Sequence, residues 1–151
     1  MKQIIVVSDS HGFHEKLEQI IKMHPDAIAY LHLGDSQESE QEIYPFISVK
    51  GNNDYLINDE IKILHIENLN IFMTHGHRMY LSKDNMLAKA KANKCNMFLF
   101  GHTHRPYYEF YEGVHILNPG SLTYPRSVLN ETYAIINIDD ENVDVQIVQF
   151  D

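Results

Sequence analysis

A chain of 151 residues has room for one hydrophobic core, and a single domain over residues 1–151 is expected. Apolar residues make up 44% of it, too many for a disordered chain, yet no apolar run nears the ~18 residues that cross a bilayer. A formal net charge of −9 leaves no broad basic surface for duplex nucleic acid or an anionic membrane, so neither is expected as a partner. The single cysteine, Cys95, has no partner for an internal disulfide, and the apolar stretch Ile4–Val7 is too short for a signal-peptide core. A cytoplasmic location is the expectation. Ten histidines, several in pairs and with no cysteine pairs beside them, point to hydrolytic metals rather than structural zinc.

The elements alternate, and the second half is richer in strands. Ile4–Val7 is a continuous apolar run closed by a turn signal, as in a strand buried on both faces. Leu17, Ile20 and Ile21 recur at helical spacing until His24-Pro25. Ala27–Leu33 and Phe46–Lys50 read as two more strands. Ile61–Ile66 and Leu69–Thr74 form a hairpin around Glu67-Asn68, and a helix is predicted from about Lys83 to Ala92. Met97–Phe100 is a short strand. Tyr107–Tyr111 with Val114–Leu117, and Thr132–Ile138 with Val143–Phe150, are predicted antiparallel pairs. The pattern predicts an α/β fold.

Five of these strands run straight into polar groups: Asp9-Ser10-His11, Gly34-Asp35, Gly51-Asn52-Asn53-Asp54, His75-Gly76-His77 and Gly101-His102-Thr103-His104. In open α/β sheets, ligands bind where such carboxyl-end loops converge. Asp35 alone suits a helix cap and Asn52 alone a turn, while a lone histidine is usually an ordinary hydrogen-bonded residue. His14, His24, His32, His65 and His115 are assigned that ordinary role. Recurrence at five strands is what capping does not explain. The seven donors Asp9, His11, Asp35, Asn52, His75, His102 and His104 are too many for one tetrahedral site and suit two divalent ions about 3.5–4 Å apart. Asp35, the middle carboxylate, is the natural bridge. Manganese is the first expectation, and nickel, zinc, iron or magnesium fit the same mixed ligand set.

The ordered motifs resemble the calcineurin-like metallophosphoesterase superfamily. The small size, Asn118-Pro119-Gly120-Ser121 and Pro125-Arg126 resemble its compact prokaryotic branch, the YfcE-type phosphodiesterases. The resemblance implies a four-layer α-β-β-α sandwich of two mixed β-sheets. It implies one ion on Asp9, His11 and His104, another on Asn52, His75 and His102, and Asp35 bridging. The chemistry implied is P–O hydrolysis of a small phosphate ester by a metal-bound hydroxide. Larger members carry a histidine proton donor where this chain has Asn53, so a phosphodiesterase with a good leaving group is expected rather than a general phosphatase. His77 is the alternative donor, or a support for His75; Asp54 is expected to orient its loop. Arg126 is expected either to reach the substrate anion or simply to lie in a loop. Tyr107, Tyr108 and Tyr111 would stack a base, or simply alternate along a strand. Members of this size form homodimers or homotetramers, and the fold also serves as the Vps29 protein-interaction scaffold, so a non-catalytic reading and a nucleotide or monoester hydrolase stand as alternatives.

Overall fold

The structure, a computed structural model, describes residues 1–126 and 130–150. Two five-stranded mixed sheets face each other. The first holds β1 (Lys2–Val7), β2 (Ala29–His32), β3 (Phe46–Ser48), β9 (Thr132–Asp139) and β10 (Asn142–Gln149), in the order β10-β9-β1-β2-β3. The second holds β4 (Ile61–Ile66), β5 (Leu69–Thr74), β6 (Met97–Leu99), β7 (Tyr107–Tyr111) and β8 (Val114–Asn118), in the order β4-β5-β6-β8-β7. β1, β2 and β3 run parallel, as do β5, β6 and β8, and antiparallel strands flank each set.

The two-residue period of a strand explains the layering. In β1, Ile4 and Val6 join Leu31, Ile71, Met73, Leu99 and Ile136 in the core between the sheets. Ile5 and Val7 turn the other way, onto Leu17 and Ile20 of α1 (His14–Met23). The second sheet repeats the arrangement: Phe72 and Phe98 stack at 5.1 Å and pack with Met86, Leu87 and Ala90 of α2 (Lys83–Ala92). One helix thus covers each outer face, giving the α-β-β-α sandwich. Each buried Ile or Leu contributes roughly 1.5–3 kcal/mol, so every layer depends on the one beneath it.

The helix ends follow local chemistry. Ser82 caps α2 by accepting the Asn85 amide N–H at 3.1 Å. α1 stops before His24-Pro25, where the His24 N–H still reaches the Ile20 carbonyl at 3.0 Å. β2 is shorter than Ala27–Leu33 because Ile28 donates to Gln3 and Leu33 to Val7 from outside regular pairing. Among the described residues, no helix is long and apolar enough to cross a membrane.

Candidate metal centre

The loops after β1, β2 and β3 meet those after β5 and β6 at the seam between the sheets. Asp9 N–H donates to Gly34 O at 3.0 Å, His11 N–H to Asp35 O at 2.9 Å, and His102 N–H crosses the seam to Asp9 Oδ2 at 3.1 Å. The first sheet supplies Asp9, His11, Asp35 and Asn52; the second supplies His75, His102 and His104. Asp9, His11, Asp35, His102 and His104 all have left-handed backbones, with φ of 54°, 49°, 59°, 70° and 60°. That conformation costs an L-residue roughly 1–2 kcal/mol, and its concentration here turns each loop sharply back over its strand end. Close approach fixes two glycines. A Cβ on Gly51 would lie 2.2 Å from Asp35 Oδ1, and one on Gly34 would lie 2.6 Å from His75 Nδ1.

Three imidazoles are oriented through Nδ1. His75 Nδ1–H donates to Leu33 O at 2.7 Å, His104 Nδ1–H to Tyr124 O at 2.7 Å, and His11 Nδ1–H to Gln37 Oε1 at 3.1 Å. Each thereby turns Nε2 toward Asp9 Oδ1, at 3.7, 3.3 and 3.8 Å respectively. Asp9 Oδ1 is buried and has no hydrogen-bond partner, although Oδ2 accepts from the Ser8 hydroxyl at 2.6 Å. His11 and His104 bring their Nε2 atoms to 3.4 Å, His75 Nε2 lies 3.3 Å from Asp35 Oδ2, and His102 Nδ1 lies 3.3 Å from His75 Nε2. Ligand atoms ~2.1 Å from a shared tetrahedral cation lie roughly 3.4 Å apart, so the spacing suits cations held among these donors. Anchoring one imidazole nitrogen to leave the other as a lone pair is how proteins orient metal ligands.

Two donor groups stand out, each with its atoms within 4.8 Å of one another: Asp9, His11 and His104, and Asp9, Asp35 and His75. The first is the set implied for one ion. In the second, Asp9 is the shared carboxylate, and Asp35 approaches only the His75 side. His102 adjoins that group through His75, and Asn52 is exposed on the turn that follows β3.

Protonation follows the same crowding. Burial disfavours charge on Asp9, but His104, His75 and the Ser8 hydroxyl outweigh it and hold the carboxyl below its ordinary range. Burial likewise opposes the ionisation of Asp35, which His75 and two bonds from Asn53 keep well below the usual carboxylate range. For His75, burial is outweighed by Asp35 and Asp9, and its pKa is raised. For His104 the contact with Asp9 leads and raises it. Burial and the neighbouring His75 lower His102 and His77. At His75 and His104, which the carboxylates raise, a bound cation would compete with a proton.

The remaining predicted residues surround these donors. Asn53 donates to Asp35 twice, from its backbone N–H to Oδ1 at 2.9 Å and from its side chain to Oδ2 at 3.0 Å. Asp54 is buried and accepts three backbone N–H bonds at 2.7 Å each, from Asp35, Gln37 and Gly51. It clamps two loops of the site together. His77 stands 5.5 Å from His75 and 6.3 Å from His102, ring to ring, with Nδ1 enclosed and unpartnered. Arg126 is exposed and donates its backbone N–H to His104 O at 3.0 Å.

The five histidines given an ordinary role all have local partners: Glu38 for His14, Tyr133 for His24, Ser10 for His32, Asn70 for His65 and Tyr108 for His115. His32 is fully buried. Its Nδ1 accepts from Gly34 N–H at 3.1 Å, so Nε2 carries the proton that reaches Ser10 Oγ at 2.8 Å. Burial lowers its pKa to about 4. The hydroxyls of Tyr107, Tyr108 and Tyr111 are engaged by Glu109, His115 and Asp84.

Sequence reasoning missed Gln37, Ser8 and Tyr124, which orient the donors, and understated the loop after β8. Asn118 donates to Gly101 O and Thr103 Oγ1, Ser121 to Asp9 O, and Thr123 to Ser10 O, at 2.8–3.1 Å. These bonds fix the backbones from which the ligand side chains project. A polar cluster at 118–123 directly after an apolar strand was the available signal.

The chain is similar to known proteins over most of its length. Residues 1–141 match the calcineurin-like phosphoesterase superfamily domain. A probable metallophosphoesterase of Bacillus subtilis (strain 168) is 31% identical over 150 residues, 95% of this chain and 88% of that one. The crystal structure of a conserved uncharacterized protein, a predicted phosphoesterase from Streptococcus pneumoniae TIGR4, superposes with a TM-score of 0.86 at 30% identity, covering 98% and 89% of the two chains. Two others share the fold at 20% identity: YfcE, a phosphoesterase from E. coli (TM-score 0.70, 99% and 100% covered), and Vps29 complexed with Zn2+ from Entamoeba histolytica (0.73, 99% and 99%). The family match over residues 1–141, with a relative 31% identical over 95% of the chain, leads to one conclusion: the chain belongs to the calcineurin-like phosphoesterase superfamily.

Proposed function

We propose that the chain is a phosphodiesterase that works with two divalent metal ions held by Asp9, His11, Asp35, Asn52, His75, His102 and His104. The observation that carries this reading is Asp9 Oδ1, a buried and unpartnered carboxylate oxygen facing three imidazole nitrogens whose opposite sides are tied to oxygen acceptors. Carboxylate and imidazole lone pairs that converge on one point need positive charge among them, from protons on His75 and His104 or from bound cations. Divalent cations bound there supply Lewis acidity toward phosphate oxygens and bring the pKa of water near neutrality.

The preference for a diester rests on Asn53. Its side-chain amide is engaged by Asp35, so it holds a ligand in place and gives no proton to a departing alkoxide. His77 is a weak substitute, because burial and His75 lower its pKa and favour the neutral ring at neutral pH. A substrate whose leaving group departs without protonation, such as an activated aryl diester, suits such a site. Fold likeness to Vps29 is the observation behind a second reading, a protein-interaction scaffold. Calorimetric titration with Mn2+ and Zn2+, run beside hydrolysis of bis(p-nitrophenyl) phosphate, separates them. Two ions per chain and metal-dependent turnover are expected. Asp35→Ala should lose metal and activity by more than the ~10–100-fold typical of residues that only support a ligand. No metal uptake and no hydrolysis would favour the scaffold; a fully active Asp35→Ala would overturn the site assignment.

A further inference from the structure

The donor groups have an aromatic flank that the hydrolytic machinery does not use. Tyr124 is 52% exposed, yet its ring lies 5.5 Å from that of His11, and its backbone carbonyl is the acceptor that orients His104. Phe13, 46% exposed at the start of α1, meets Tyr124 edge-on at 6.1 Å. The Lys16 ammonium lies over the Phe13 ring. It sits 5.2 Å from the Phe13 ring centre while donating to Leu122 O at 2.8 Å, which fixes it. Two large rings left half in water and held in an edge-on pair, one of them against the ring of His11, form a π-surface that folding does not cover. On the His77 side, Lys50, Asn52, Tyr55, Glu60 and Arg78 line a mixed cleft with that histidine.

We infer that Phe13 and Tyr124 form a stacking shelf for an aromatic ring carried by the phosphate ester, a nucleobase or an aryl group, and thereby set substrate class. The inference rests on the phosphodiesterase reading for its setting, since the shelf adjoins the proposed ions through His11 and His104. Its physical basis is independent. A base or aryl face laid on an exposed aromatic ring displaces water from both, and every base has such a face.

Equilibrium binding tests this without turnover. Calorimetry on the Mn2+-loaded chain should find AMP bound about 10-fold more tightly than ribose 5-phosphate, which carries the same phosphate and sugar without the base. Phenyl phosphate should exceed methyl phosphate similarly, which tells whether any aromatic ring suffices or a nucleobase is needed. In Tyr124→Ala the AMP advantage should fall several-fold, while Tyr124→Phe should keep it, because the ring and not the hydroxyl stacks. Phe13→Ala, whose side chain touches none of the proposed ligands, should also narrow it and guards against misfolding of the Tyr124 variant. Equal binding of AMP and ribose 5-phosphate, or an advantage that survives both alanine variants, overturns the shelf. Diester hydrolysis that persists in that case leaves the phosphodiesterase reading standing. Preferential AMP binding without hydrolysis would keep the shelf and reject the catalytic assignment.

Discussion

The two ends of the strands use the same uncommon backbone for opposite reasons. Among the described residues, ten non-glycine positions have positive φ. Six, Asp9, His11, Asp35, Gln37, His102 and His104, follow the carboxyl ends of parallel strands at the seam. The other four, Glu67, Lys94, Glu112 and Asp140, lie at the far end, in exposed turns that lead from one element to the next. At the far end the conformation is a matter of chain reversal, and any residue that tolerates it would serve. At the seam it is held by specific bonds to Asp54, Asn118, Ser121 and Thr123, because it aims side chains that a relaxed loop would release. Strain at a turn is local, whereas strain at the site is maintained by the surrounding fold.

The contrast can be broken at several points. Asp54→Ala would leave three backbone N–H groups without their acceptor, and should cost on the order of 4 kcal/mol in urea unfolding, with Asp54→Asn less severe. A loss under ~1 kcal/mol would mean that the seam loops hold themselves. Acid should act next most strongly, through His32. Its folded pKa of about 4 lies below the ordinary 6.5, so the unfolded chain takes the proton first. Stability is full above pH ~6.5 and is lost as pH falls toward ~4, by about 3 kcal/mol. His75 and His104, raised in the fold, act with the opposite sign. The measurement is therefore the difference between the metal-free parent and His32→Asn across that range, and parallel curves would refute it.

Smaller effects sharpen the comparison. Asn53→Ala removes one of two bonds to Asp35 and should weaken Mn2+ affinity ~10–100-fold by calorimetry, with little change in unfolding. At the far end the sign reverses. Lys94→Gly or Asp140→Gly relieves a left-handed residue that serves only a turn, and should raise stability by up to ~1 kcal/mol. A destabilising result there would show that the far turns, too, are held by their side chains.

These differences mark what the sequence made legible. Runs such as Ile4–Val7 and Ile71–Met73 disclose strands because burial on both faces leaves no polar position. Met86, Leu87 and Ala90 disclose a helix by period. Glycines and polar residues at strand ends show where chemistry gathers. The partners that aim it are harder to see. Leu33 and Tyr124 orient His75 and His104 through backbone carbonyls, which every residue possesses, so no residue type announces them. The hold of Asn53 on Asp35 was hidden because that bond spans 18 positions of sequence. Tyr124 was overlooked since one aromatic in a loop has no periodic context. Pairing of the sheets came from resemblance, because strand order leaves no trace in local composition.

The seam has a thermodynamic consequence. Each donor group draws from both sheets: Asp9 and His11 with His104 across the interface, Asp9 and Asp35 with His75 across it. A cation seated in either would act as a clasp between the two halves of the sandwich, and its binding energy would appear in the folding equilibrium as RT ln(1 + [M]/Kd). At a free ion concentration 100 times Kd that is about 2.7 kcal/mol for one ion, comparable to a buried leucine. The abundance of folded chain in a cell would then track the supply of metal, so that starvation for the ion lowers not only activity per molecule but the number of molecules standing.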